Sequence, residues 1–455
     1  MIEAGGRDRV GNTVSRFLAD WRASGIAGVV LRGYEGLPTR IENDLDILVE
    51  KPRVREFEQL LLRAATADGL KRFARIERSA GSPVAHRFLD PESGRQLSID
   101  LFTNLNWRGL SFLSARSVLD GRVAIDTVDI PRPGHEAAAS LFSKILHGSW
   151  VPEDRRERIR ELALRDENEF VRVSELAFGR SVAQELLARV TTLRLSTDRA
   201  ETGRLRRALV RRAFARSPIA ALTGVAADVG RIAHRVRRPS GVFIALVGPD
   251  GSGKSTLAEP LADRLAGRLG GVNGHTFHWK PKRLRGAGGG PVTSPHARPP
   301  RSRAASRLWL GLHLAEFTVG YFTAIYPRLV RGQPVVGERY LFDLWLDPLR
   351  YRLDLPGGSV PDRGGLRVLA PDITLCLMAD AGVLQSRKSE VSIETTERQL
   401  AAIAAMAHST PSAHEVNVAL TEAEVLDSCE RVVLDWLFRR DSRRHSPGTV
   451  VTDPT

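Results

Sequence analysis

The stretch GVFIALVGPDGSGKST, residues 241–256, decides the reading of the second half of this 455-residue chain. An apolar run over 242–247 passes without a break into Gly248, Pro249, Asp250, Gly251, Ser252, Gly253, Lys254, Ser255 and Thr256. The spacing is that of a phosphate loop: glycine, four residues, glycine, lysine, then serine or threonine. It has a strand before it and a helix, expected over 255–269, after it. Glycines let successive backbone N–H groups converge on one anion, a concavity that a Cβ would obstruct. The helix adds its positive N-terminal end beneath the phosphates. Lys254 is then placed to reach the β and γ phosphates, and the Ser255 hydroxyl to hold Mg²⁺. This half is expected to bind a nucleoside triphosphate through Gly248 to Thr256.

Downstream, residues 276–281 (TFHWKP) have the pattern of a strand, and 283–306 form a long Gly-, Pro- and Arg-rich loop. The oily stretch 307–330 carries His313 and Glu316 and is broken by Pro327, which fits a buried helix better than a membrane span. A strand then leads to Glu338, Arg339 and Tyr340. Strands over 371–380 and 414–419 follow, with helices between and after them, the last over 421–439. Strands alternating with helices predict a parallel sheet covered on both faces, a three-layer α/β/α domain.

With its loop GPDGSGKST and the triplet Glu338-Arg339-Tyr340, residues 241–439 resemble the thymidylate kinase family of P-loop kinases. The triplet stands where that family has aspartate, arginine and tyrosine or histidine. Trp279, Lys280 and Pro281 stand where it has arginine, glutamate and proline. The resemblance implies that Arg339 grips an acceptor phosphate and that Glu338 helps organise Mg²⁺ and water. It further implies that Asp250 contacts the acceptor, and that Arg387, Lys388 and Arg398 form a basic lid whose planar guanidinium groups bind phosphoryl oxygens bidentately. It thus implies an enzyme that uses ATP and Mg²⁺ to phosphorylate a small phosphorylated or hydroxylated, nucleotide-like acceptor. Its catalytic set would be Lys254, Asp250, Glu338, Arg339, Arg387 and Arg398.

The first half opens with an amphipathic helix over 8–24, then a strand that ends at Gly33. In the next strand, 44–49, Asp44 and Asp46 fall on one face because strand side chains repeat every two residues. Two adjacent carboxylates repel each other, and burial makes this worse, so a divalent cation is the natural compensation. Asp100, inside the strand-like run 96–102, would complete a site for Mg²⁺. Gly33, Asp44, Asp46 and Asp100, in this order, resemble the polymerase-β-like nucleotidyltransferase superfamily, with Tyr34 where that superfamily has a small residue. The resemblance implies an N-terminal α+β nucleotidyltransferase-like domain whose three acids hold the metals for nucleotidyl transfer, which would make the chain bifunctional.

Between the halves the periodicity turns helical, over 135–146, 153–164, 167–178 and 182–193. Residues 204–238 are dense in arginine, with Leu205, Leu209, Val210 and Phe214 on one face. Such a helix either docks on an anionic partner, nucleic acid or membrane, or is a solvated linker. The expected organisation is α/β multidomain: 1–133 nucleotidyltransferase-like, 134–200 a helical bundle, 201–240 a basic connector, 241–440 the P-loop domain and 441–455 a disordered tail. The net charge of +14, with 42% hydrophobic and 26% charged residues, describes an ordinary soluble composition that favours acidic partners. Cys376 and Cys429 are the only cysteines, too few for a disulfide framework or a zinc pattern. The polar N-terminus lacks the apolar core of a signal peptide, and a cytoplasmic protein without a transmembrane segment is expected. A homodimer stays open. The rival functional class is a nucleotide-gated binding module that docks through the basic connector.

Overall fold

The computed structural model describes residues 8–38, 44–78, 83–148, 151–195, 198–271, 273–278, 299–354, 369–388 and 391–445. The chain forms a multidomain α/β structure of two units, Met1–His234 and Arg235–Thr455.

In the first unit, α1 (Arg9–Ser24) starts where the Asp8 carboxylate accepts the Gly11 amide at 2.9 Å. This satisfies one of the N–H groups that a helix start leaves without an internal partner. Its buried stripe, Val14, Phe17, Leu18 and Trp21, follows the helical period. There follow β1 (Gly28–Arg32), β2 (Leu45–Val49), α2 (Val54–Ala67), β3 (Lys71–Glu77), β4 (Val84–Leu89) and β5 (Gln96–Phe102). They form a mixed sheet in the order β1-β2-β5-β4-β3, parallel only between β2 and β5. The two-residue repeat sorts its side chains. Val30, Ile47, Val49, Ile99 and Leu101 pack with α1 and α2. Val29, Leu31 and Leu48 join a second core on the opposite face.

That second core is built by two hairpins and a run of helices. The hairpins are β6 (Leu105–Trp107) with β7 (Leu110–Leu113), and β8 (Val123–Ile125) with β9 (Val128–Ile130), and α3 (Ala115–Asp120) lies between them. Then come α4 (Pro133–His147), α5 (Glu153–Arg165), α6 (Glu167–Phe178), α7 (Arg180–Thr191), α8 (Arg199–Arg216) and α9 (Pro218–Arg237). Phe142 of α4 is its centre, edge-on to Phe112 at 6.2 Å and to Phe178 at 5.0 Å between ring centroids. The arginine-dense stretch is two helices rather than one connector. The apolar stripe divides: Leu205 and Leu209 are buried in this core with Phe214 packed against it, while Val210 is exposed.

In the second unit the order is β10 (Val242–Val247), α10 (Lys254–Arg268), β11 (His275–His278), α11 (Arg303–Gly320), α12 (Tyr326–Val330), β12 (Pro334–Glu338), α13 (Asp343–Leu346), β13 (Ile373–Met378), α14 (Ala381–Arg387), α15 (Ile393–Ser409), β14 (Ala413–Asn417) and α16 (Glu422–His445). The strands form one parallel sheet, β11-β12-β10-β13-β14. All six residues of β10 are buried, as a central strand covered on both faces requires. Phe243 and Ala245 meet α11, and Val247 meets α15. The chain runs from β10 outward to one side and later returns to the other, so a crevice opens at the carboxyl end of β10, where the phosphate loop lies.

The loop expected over 283–306 is partly replaced by helix, since α11 begins at Arg303. Residues 279–298, with Trp279, Lys280 and Pro281, lie outside the described residues, as does 446–455; the tail expected from 441 is still helical through His445. A π-helical turn, Tyr321–Ile325, joins α11 to α12. By length and composition Arg303–Val330 is apolar enough to cross a membrane, but a third of its most apolar window (33%) is buried within the protein. His313 and Glu316 are among its buried side chains. Both cysteines are buried and unpaired.

Truncating the centre of the second core tests its weight. Phe142→Ala should destabilise the first unit by about 3–5 kcal/mol, seen as an earlier unfolding transition in urea.

Candidate functional site

Gly251 and Gly253 take φ of 84° and 80°, a region L side chains rarely adopt. A Cβ on Gly251 would also come within 2.6 Å of the Leu384 carbonyl. The turn carries the chain directly into α10, whose first residue is Lys254. The Lys254 side chain folds back under the loop, where Nζ donates to the Gly248 and Pro249 carbonyls at 2.7 Å each and to Ser252 Oγ at 3.3 Å. Burial pushes its pKa down to about 8, helped by the positive charge of Arg339.

A cavity of about 900 Å³ opens beside the loop. Asp250 to Thr256 form its floor, and five cations lie around it: Arg264, Arg339, Arg350, Arg387 and Lys388. Val418, Leu420 and Leu426 make part of its wall apolar. One cavity thus joins a floor of loop residues ringed by cations to a partly apolar wall.

Arg339, directly after β12, has φ of 94°. For a residue with a long side chain this is an outlier of the kind functional sites hold in place. Its guanidinium pairs with Asp250, and Nη1 lies 3.4 Å from Asp343 Oδ2. Arg350, from a 3₁₀ turn (Pro348–Tyr351), reaches the other Asp250 oxygen at 2.9 Å. Burial alone would raise the Asp250 pKa, but the two guanidinium groups outweigh it and hold the carboxyl well below its ordinary range. For buried Asp343 the balance reverses: desolvation dominates and the pKa is raised.

Glu338 ends β12 and meets the Ser255 hydroxyl, with His278 Nδ1 3.0 Å from the same carboxylate oxygen. A hydroxyl and a carboxylate are the hard oxygen donors that Mg²⁺ takes alongside phosphates and water, so these residues fit the ion. Arg387 donates to the Val418 carbonyl at 2.8 Å on the cavity wall. Arg398 is not brought there: it is exposed on α15, and its hydrogen bonds go to Glu394 and Thr395 of its own helix. Sequence reasoning missed Arg350, Asp343 and His278. The run 343–351, with two aspartates and an arginine close behind Arg339, was the available signal.

In the first unit, Asp46 and Asp100 are directly opposite on the parallel strands β2 and β5. A bulge in β1 between Val30 and Arg32 sets Arg32 opposite Asp46, and the two form an ion pair. Arg87, fully buried, spans the other two acids, at 2.8 Å from Asp100 and 3.1 Å from Asp44. The expected three-acid metal site is therefore not assembled: guanidinium groups already answer the carboxylates. Among the described residues no cluster of three or more histidine, cysteine, aspartate or glutamate side chains is placed to hold a metal. One carboxylate oxygen, Asp46 Oδ1, is buried without a hydrogen-bond partner. Burial pushes the Asp46 pKa up to about 6, against the pull of Arg32 and with the repulsion of Asp100. Tyr34, at the turn after β1, donates to buried Glu136 at 2.9 Å, and Arg158 stacks on its ring.

No protein-family model matches the chain, and no curated protein matches it significantly. Among solved structures it is similar to the crystal structure of thymidylate kinase from Ehrlichia chaffeensis, at 20% identity over 43% of this chain and 99% of that one, with a TM-score of 0.28. What the second unit has in its own right is the parallel sheet order and the loop at its crevice.

Two titrations follow. Lys254 is charged below pH 8, and phosphates favour the charged form, so ATP binding should take up a proton near that pH. Affinity should fall by up to about tenfold per pH unit above it. Calorimetry in buffers of different ionisation enthalpy would read the uptake, which Lys254→Met should abolish. Asp46 holds a proton in the folded protein between its unfolded value and about 6, so its contribution to stability falls as pH rises through that window. At neutral pH the buried charge opposes folding by up to about 3 kcal/mol. Asp46→Asn should therefore melt higher than wild type at neutral pH, and the gap should close below pH 4.

Proposed function

We propose that the second unit is an ATP- and Mg²⁺-dependent phosphotransferase acting on a small nucleotide-like acceptor, in the manner of thymidylate and other nucleoside monophosphate kinases. The observation that carries this reading is the meeting of Arg339 and Arg350 on Asp250, beside Lys254 and above the loop amides. Phosphoryl transfer asks little covalent chemistry of a protein. It needs donors fixed where negative charge spreads over oxygens. The loop N–H groups and Lys254 would hold the β and γ phosphates of ATP, while Arg387 and Lys388 line the same cavity. A phosphate on the acceptor would draw Arg339 and Arg350 from Asp250, leaving that carboxylate free to accept from an acceptor hydroxyl. Ser255 and Glu338 would hold Mg²⁺, which would supply charge neutralisation for the phosphates.

For the first unit the reading extends to nucleotidyl transfer. Asp46 and Asp100, opposite each other in the sheet with Asp46 Oδ1 buried and without a hydrogen-bond partner, favour it. Arg87 would have to release Asp100 before a cation could be held there, so no step is derived through a metal. Calorimetry with Mn²⁺ on wild type and Asp46→Asn would sink this extension if the two bind alike.

The deciding assay for the second unit is transfer from labelled ATP to a panel of dTMP, other nucleoside monophosphates and sugar phosphates. One acceptor should be labelled, with kcat/KM falling by about a thousandfold in Lys254→Ala. Arg350→Ala should raise the acceptor KM while leaving the KM for ATP near wild type. Tight ATP binding with no acceptor labelled would remove the phosphotransferase reading.

A further inference from the structure

Helix α9 has its apolar side turned to solvent. Ala221 and Asp228 are buried and Gly224, Arg231 and Arg235 half-buried, which at spacings of three and four residues is one face of the helix. That face is fixed: a Cβ added to Gly224 would lie 2.2 Å from the Gly109 carbonyl oxygen. The neighbouring, exposed face carries Leu222, Val225, Val229, Ile232 and Val236 at the same spacing, with Ile219 a turn earlier. They are between 37% and 77% exposed. Single aliphatic side chains at a surface mean little, but a stripe along four turns marks a surface that something covers.

The charges along the helix say what covers it. Its one acid, Asp228, is buried and paired with Arg231. The exposed flank carries His234, Arg237 and Arg238, and α8 just before it exposes Arg207, Arg211 and Arg212. A second copy laid seam to seam would bring arginines together with no exposed acid on the helix to answer them. A nucleic acid would satisfy the arginines and leave the aliphatic stripe in water. An anionic bilayer answers both, with the stripe at the acyl boundary and the guanidinium groups among the headgroup phosphates. We propose that α9 lies in the plane of an anionic membrane surface, inserting Leu222, Val229, Ile232 and Val236 and holding lipid phosphates through Arg237 and Arg238. This surface is independent of the phosphotransferase reading.

The test is flotation of the full chain with vesicles of phosphatidylcholine alone, or with one third phosphatidylglycerol. The protein should float only with the anionic vesicles. Val229→Glu with Ile232→Glu should abolish flotation with no change in the melting curve, since both positions are exposed. Arg237→Gln with Arg238→Gln should weaken it roughly thirtyfold. Four results would overturn the proposal. Wild type stays with the pellet, or the double glutamate variant floats as well as wild type. Alternatively, sedimentation finds a dimer that the glutamates dissociate, assigning the face to a second copy. Binding to an RNA or DNA duplex that displaces the vesicles and survives the glutamates would likewise assign the arginines to nucleic acid.

Discussion

Burying an ammonium group next to two guanidinium groups is the constraint on which the second unit is built. Lys254, Arg339 and Arg350 border one cavity, and cations in a low dielectric raise each other's energy unless anions lie among them. Asp250 pairs with both arginines and Asp343 with Arg339, while Lys254 donates to the carbonyls of its own loop and the Ser252 hydroxyl and feels both carboxylates through space. The lowered pKa of Lys254 reflects its burial first and the charge of Arg339 second. Much of the local backbone follows from that constraint. Left-handed glycines let the loop carbonyls turn toward Nζ, and the unusual φ of Arg339 lets its side chain turn back across β12 to Asp250. On the proposed reading two anions would share that relief, the ATP phosphates at Lys254 and an acceptor phosphate at Arg339 and Arg350.

How much of this was legible in the sequence depends on whether the signal lay within one segment. The eight-residue loop pattern and the solid apolar run before it are contiguous, and both the central strand and the helix start fell within a residue or two of their expected places. The D-x-D reading put Asp46 inside β2, where Asp100 came to lie opposite it in the sheet, whereas Asp44 falls just before the strand begins at Leu45. What stayed hidden came from register and from turns. Arg87 enters the acid cluster from β4, a strand whose pairing no local pattern reveals. Arg350 reaches Asp250 from a short turn a hundred residues on. The amphipathic period of the arginine-rich stretch showed that there was a face but not what it meets. Leu205 and Leu209 are buried in the first unit, whereas the stripe left bare belongs to the next helix, α9.

The two candidate sites are charge inverses of each other. In the first unit one buried guanidinium, Arg87, bridges two carboxylates; in the second, one carboxylate, Asp250, bridges two guanidinium groups. Removing the central group from either would strand like charges, at about 3–5 kcal/mol for a buried pair. The centre can be displaced only by a ligand of its own sign. Around Asp250 that ligand is an anion, and a phosphate dianion with three oxygens offers the arginines more acceptors than a carboxylate with two. Around Arg87 it is a cation, and a divalent ion has to outcompete a guanidinium that is fully desolvated and already bonded to both acids. Exchange is therefore favoured in the second unit and opposed in the first, and the difference lies in which charge the fold has placed at the centre.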